Sequence, residues 1–197
     1  MKKYIILILL LVLTTVITAS DLNWRSFEDA HKIAQTENKI ILIDFYTDWC
    51  GWCKKMDNET YSNEKIIDLL NEDFVTVKIN PEKQGSIELG GQTMTWEQFA
   101  ADVGVTGYPA TAFFTPDFKL IDLIPGYYDP KNMEMVLKFM SDAIYEKISF
   151  QDYRLFHEVQ TLASAQNSDP ELDFILGYFH LRFFDQKEKA YNSFKTA

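Results

Sequence analysis

From residue 26 the chain places Phe27, Ala30 and Ile33 or Ala34 on one side of a 3.6-residue repeat, which predicts a helix. Ser26 stands at the N-cap with Asp29 three residues on, close to a capping box, and Asn38 ends the run. Residues 39–46 are β-branched and almost continuously apolar, the pattern of a central strand covered on both faces. Thr47-Asp48-Trp49 is a loop, and the next helix begins at Cys50. Residues 62–71 give a second helical run and 74–79 a second strand. Residues 81–95 show no clear period and hold Gly90 and Gly91, so they read as a loop or insertion. Residues 96–103 form a short helix ended by Gly104. Residues 110–115 and 120–124 are strands joined by a turn at Pro116-Asp117, an antiparallel hairpin. Asp129-Pro130 then opens a helix, with proline at its first position, that runs to about Tyr145.

Strands separated by helices imply parallel pairing, and the terminal hairpin adds an antiparallel edge. The expectation is an α/β domain over residues 21–147. Residues 148–197 form a distinct helical extension, with helices over 149–166 and 171–184 split by Asn167-Ser168-Asp169-Pro170. Within it, Leu176-Gly177 followed by Ala190-x-x-x-Phe194 resembles one degenerate tetratricopeptide repeat. His180 sits where that pattern prefers Tyr, and Asp173 where it prefers Trp. A helical cap packed on the domain is the simpler alternative, since one repeat makes no solenoid.

The first twenty residues follow another logic. Lys2 and Lys3 precede an unbroken apolar run over residues 4–13, then Thr18, Ala19 and Ser20 are small, and the chain turns polar at Asp21. That order is a secretory signal peptide, cut after Ala19 or Ser20. An uncleaved anchor is the alternative, but the run is shorter than the roughly 18–20 residues a spanning helix needs. With no other long apolar segment, the expectation is an exported, periplasmic or otherwise extracytoplasmic protein that does not span the membrane.

Charge sharpens this picture. The chain of 197 residues has 29 acidic and 19 basic side chains, a net charge of −10. Without Lys2 and Lys3 the basic count falls to 17 and the balance to −12. Such a chain has no footprint for nucleic acid. Apolar residues at 47% are enough for a core.

Chemistry enters with the two cysteines, Cys50 and Cys53. Two are too few for a disulfide-stapled scaffold. Zinc needs about four ligands, and His31, His157 and His180 are not at finger spacing and read as surface or capping residues. No metal is expected. A c-type haem needs His after the second cysteine, where Lys54 stands. At a helix start, unpaired N–H groups and the macrodipole stabilise the Cys50 thiolate and make it reactive. Cys53, one turn later and more buried, would resolve the mixed disulfide, so electrons move with no cofactor beyond the Cys50–Cys53 pair. A purely structural disulfide stays open at this point.

The segment from Ile41 to Met56, with its Trp49-Cys50-Gly51-Trp52-Cys53-Lys54-Lys55-Met56 motif, resembles the thioredoxin superfamily, especially its exported members. The resemblance extends over about residues 24–144 through Val77-Lys78-Ile79-Asn80-Pro81 and Gly104-Val105-Thr106-Gly107-Tyr108-Pro109-Ala110-Thr111. It implies a thioredoxin-like fold, a central mixed sheet flanked by helices. It implies a cis-proline at Pro109 facing the disulfide, with Tyr108 touching the partner. It implies that Asp44 is the family's buried acid, exchanging a proton with Cys53, and that Lys78 accompanies it. Trp49, Gly51 and Trp52 shape the docking surface, and Lys54 and Lys55 add positive charge. Trp52 stands where thioredoxin itself has proline, a dipeptide that tunes the potential.

The function expected is an exported thiol–disulfide oxidoreductase that reduces protein disulfides, such as oxidised partners or apocytochrome cysteines, and draws electrons from a membrane thiol transporter. The other reading is a binding module with a structural disulfide and a helical tail that docks a partner.

Overall fold

A computed structural model of the chain describes residues 21–89, 91–165 and 169–197. The leader reading, Gly90, and Gln166 with Asn167 and Ser168 lie outside the described residues. A short strand β1 (Trp24–Arg25) leads into α1 (Phe27–Glu37), β2 (Ile40–Phe45), α2 (Gly51–Glu59), α3 (Glu64–Asp73) and β3 (Phe74–Ile79). A small hairpin, β4 (Ser86–Leu89) and β5 (Gln92–Thr95), precedes α4 (Trp96–Val103), β6 (Ala110–Phe114), β7 (Leu120–Pro125) and α5 (Pro130–Ser141). After a 3-10 turn at Ile144–Glu146 come α6 (Phe150–Ala165), α7 (Pro170–Arg182) and α8 (Lys187–Thr196).

The main sheet has the order β1-β3-β2-β6-β7. β2 pairs in parallel with β3 and antiparallel with β6, so the sheet is mixed, and β6 and β7 form the expected hairpin. Alternation along β2 sends Ile41, Ile43 and Phe45 to a core shared with α1 and α4, and Leu42 to a core with Met56, Leu70 and Met133. Both faces of β2 are therefore covered, the reason its sequence reads as one apolar run. Each such buried side chain contributes about 2 kcal/mol.

Helix ends follow their chemistry. Ser26 Oγ accepts the Asp29 N–H, and Asn38 closes α1 in the left-handed region with φ 54°. The Asp29 carboxylate takes the Ser26 hydroxyl at 3.0 Å, so the expected box is not reciprocal here. Thr95 and Gln98 do make a full capping box on α4.

Three expectations need correction. The segment 81–95 is a loop only over residues 81–85: Ser86–Leu89 pairs with Gln92–Thr95 as β4–β5, with Ile87 buried in the core. Strands of four residues leave at most two inward positions each, here Ile87, Leu89 and Met94, too few to show a period. The helix opened by Asp129 stops at Ser141, because the chain turns through Ala143 at φ 52° before the 3-10 turn. His180 is buried rather than superficial, packed against Phe156 at 5.4 Å.

In the extension, Phe156 and Val159 of α6 meet Leu176 and Phe179 of α7 in a third, small core. α8 packs on α7 with Ala190 buried, and a Cβ at Gly177 would lie 2.5 Å from the Phe194 ring.

Candidate active site around Cys50 and Cys53

The end of β2 delivers the chain to the site. Tyr46 N–H donates to Ile79 O at 3.0 Å, the last tie to the sheet, and Thr47-Asp48-Trp49 turns the chain into α2. Cys50 is the N-cap of α2 and is disulfide-bonded to Cys53. The Cys53 N–H points at Cys50 Sγ at 3.0 Å, one of the unpaired amides that a helix start offers. That arrangement favours a thiolate at Cys50 once the bond is reduced. Sequence reading places Cys53 deeper than Cys50, but in the disulfide form the two are equally buried, at 3% and 4% exposure. The asymmetry is instead one of role at the helix terminus.

Sheet register brings the other residues to the same place. Phe45 lies opposite Ile79 on one side and Ala110 on the other. The segments just beyond, Asn80–Lys83 and Tyr108-Pro109, therefore flank the turn into Cys50. The Tyr108–Pro109 peptide is cis, as the resemblance implied, and Pro109 O accepts the Gly126 N–H at 2.8 Å.

Asp44 and Lys78 are cross-strand neighbours on the face covered by α2. Asp44 is buried, and burial raises its pKa to about 6 despite the pull of Lys78. Lys78 Nζ is 3.4 Å from Asp44 Oδ2 and also contacts the Asp57 carboxylate. The ammonium stands over the rings of Trp24, Tyr46 and Tyr61 at 5.1, 5.0 and 5.7 Å, a cation–π cage. Asp44 Oδ1 accepts no hydrogen bond of ordinary geometry among the described residues. Burial and the Asp44 charge push the nearby Tyr61 phenol well above its ordinary range, so it stays protonated. The group is a carboxylate whose proton can come and go near neutral pH, beside a fixed cation.

At the surface, Trp49 and Trp52 are 68% and 58% exposed. Trp49 Nε1 donates to both Glu82 carboxylate oxygens at 2.9 and 3.0 Å, and its ring meets Tyr108 edge-on at 6.1 Å. The same segment grips the loop twice more: Asn80 Nδ2 donates to Asp48 at 3.3 Å, and Lys83 pairs with Asp48 at 3.1 Å. Trp52 lies against Tyr127 at 5.5 Å, and Lys55 Nζ stands over both rings at 5.2 and 5.0 Å. Gly51 is the first residue of α2, with open space where a Cβ would be. Lys54 is exposed.

Every residue expected at the site is thus drawn to one end of the sheet, around the cysteines or on the face beneath α2. Sequence reading missed Asp57, Glu82 and Tyr127. Asp57 could have been found, since it lies four residues after Cys53, on the same face of α2. Nothing local marks Glu82 or Tyr127, whose partners are 33 and 68 residues away. No group of three or more metal-ligating side chains occurs among the described residues.

Comparison with known proteins agrees with this geometry. A family model described as a thioredoxin-like domain matches residues 27–141. Spermatogenesis-associated protein 20 of Homo sapiens is 33% identical over 103 residues, covering 52% of this chain and 12% of that protein. The thiol:disulfide interchange protein DsbD of Pseudoalteromonas atlantica is 28% identical over 92 residues, covering 47% of this chain and 14% of that protein. The chain thus spans only a small part of the length of these relatives. Among solved structures, one titled DsbH oxidoreductase superposes with a TM-score of 0.52 at 23% identity, covering 64% of this chain and 88% of that one. A thioredoxin-fold protein from Helicobacter pylori gives 0.54 at 18% identity, covering 67% and 88%. These two likenesses speak to the fold.

Proposed function

The chain belongs to the thioredoxin-like domain family, and from that premise we propose that it is an exported thiol–disulfide oxidoreductase that works as a reductant of protein disulfides. The observation that carries the reading is the Cys50–Cys53 disulfide at the start of α2, beside the cis Tyr108–Pro109 peptide and above the Asp44–Lys78 pair. In the reduced enzyme the Cys50 thiolate attacks a partner disulfide. A Cys50–partner bond forms, and the partner's other sulfur leaves as a thiolate that takes a proton. Cys53 loses its proton to Asp44 and attacks Cys50 Sγ, the Cys50–partner bond breaks as the intramolecular disulfide closes, and the partner's second sulfur leaves as a thiolate that takes the proton from Asp44. Two electrons pass to the partner. A second dithiol must return them, and a membrane thiol-electron transporter is the donor we propose. The basic n-region and apolar run before residue 21 support export, and among the described residues no helix is long and apolar enough to cross a membrane.

Catalysed reduction of insulin by dithiothreitol tests the exchange, and Cys50→Ser is expected to abolish it. Cys53→Ser is expected to accumulate a mixed disulfide through Cys50, which identifies the partner. Equilibration with glutathione tests direction: a potential near about −120 mV, the strongly oxidising end of the known range, overturns the reductant reading.

A second reading, a binding module whose helical tail docks a partner, is favoured by the exposed Phe174, Tyr178, Leu181 and Tyr191 of α7 and α8. Insulin turnover unchanged in Cys50→Ser would decide for it.

A further inference from the structure

The two exposed aromatic clusters beside the disulfide share no residue and carry opposite charge. One is Trp49 against Tyr108, with the Glu82 carboxylate held on the indole N–H. That N–H is neutral, and no cation lies within ion-pair distance of Glu82 among the described residues, so its charge is uncompensated. The other is Trp52 against Tyr127, with Lys55 over both rings and exposed Lys54 alongside. Lys55 has only a loose contact to Glu59 at 3.8 Å, and that carboxylate already accepts the Tyr127 hydroxyl at 2.7 Å. The peptide groups of Gly107 and Tyr108 make no backbone hydrogen bond among the described residues, which leaves main-chain positions for an added extended segment.

Resting on the thiol–disulfide exchange proposed above, we infer that the partner presents its half-cystine in an extended segment of fixed charge polarity, with a carboxylate flank at the Trp52–Tyr127–Lys55 cluster and a cationic flank at the Trp49–Glu82 cluster. The indoles supply sequence-tolerant apolar contact. Backbone pairing at Gly107 and Tyr108 holds the segment in one direction, and the rim charges then choose between the two orders of flanking charge, because the wrong order sets like charges against each other at both ends. Lys55 and Glu82 are then specificity-determining residues, although neither touches sulfur.

Single-turnover kinetics with the full chain tests this. The pre-reduced dithiol supplies the two electrons for one substrate disulfide, so no further reductant is present. Two peptides are compared, each carrying one half-cystine in mixed disulfide with a chromogenic aromatic thiol. One has glutamate before and lysine after the half-cystine; the other has the reverse order. At low salt the second-order rate constants are expected to differ fivefold or more. The ratio is expected to fall within twofold at 1 M salt, where rim charges are screened, and in Lys55→Glu. Equal rates for the two orders at low salt, or a preference that survives Lys55→Glu, overturns the inference. Insulin reduction run alongside separates the two levels. Insulin turnover with no peptide preference removes only the polarity, whereas no reaction with insulin or either peptide removes the exchange reading too.

Discussion

Lys78 joins two carboxylates of unequal setting: its ammonium lies 3.4 Å from the buried Asp44 and also contacts the half-exposed Asp57. Three aromatic rings, those of Trp24, Tyr46 and Tyr61, surround that ammonium. Asp44 is therefore desolvated beside a cation that is shared, and burial prevails, with its pKa at about 6 against 3.8.

That imbalance has a stability signature. The folded protein binds the Asp44 proton more tightly than the unfolded chain does, so this contribution is full below about pH 4 and is lost as pH rises through about 6. Asp44→Asn removes it. Urea denaturation is expected to show the variant more stable than the parent by about 2–3 kcal/mol at pH 8, at about 1.4 kcal/mol per pKa unit, with the difference gone near pH 4. Insulin reduction by the same variant is expected to slow about a hundredfold at pH 7, the lower end of the range for general acid–base assistance.

Lys78→Met tests the cation. Without it, Asp44 is left buried with the Asp57 charge and the Tyr61 phenol, and its pKa is expected to climb by a further one to three units or so. Carboxyl-carbon NMR of Asp44 against pH reads this directly; an unchanged midpoint would mean that Lys78 does not set the proton affinity.

Glu82→Ala frees the Trp49 indole. The hydrogen bond lies in solvent and is worth about 1 kcal/mol. KM for a protein disulfide is expected to rise about three- to fivefold with kcat held within about twofold, since the lost energy belongs to docking. Tryptophan fluorescence anisotropy should fall in parallel.

Gly177→Val tests the extension. Any Cβ there would press on the Phe194 ring, and the third core is small and joins the second core through Phe183 and Phe184. Limited proteolysis is expected to cut within α8 at least tenfold faster, a local opening of about 1.4 kcal/mol, while insulin reduction is retained.

Much of this was legible in the sequence because it is written in local periods. The β2 run, the Ser26 and Asp129 caps and the stop at Gly104 each depend on neighbours a few residues away. The same holds for the cysteines, whose chemistry follows from two residues one turn apart on a helix start. Asp44 and Lys78 needed a resemblance to be singled out, since an acid in an apolar run says nothing about which cation it meets across a strand pair. Glu82 and Tyr127 were illegible because a surface glutamate and a loop tyrosine gain meaning only from the sheet that carries them to Trp49 and Glu59. The hairpin of residues 86–95 escaped because two four-residue strands with a single buried isoleucine carry too little pattern.

The ends of β2 and β3 and the start of β6 share one edge, and β7 ends there too, with Ala110 opposite Pro125. The working groups are thus contributed by four separate stretches of chain and meet only when the whole sheet is assembled. A peptide carrying both cysteines, from Asp44 to Asp57, would own the two thiols and three aspartates but neither Pro109, the Glu82 that holds the Trp49 indole, nor the Lys78 cation. Chain synthesis has the same consequence: the thiols emerge from the ribosome more than fifty residues before Pro109, and their surroundings are complete only after the hairpin of β6 and β7 has followed.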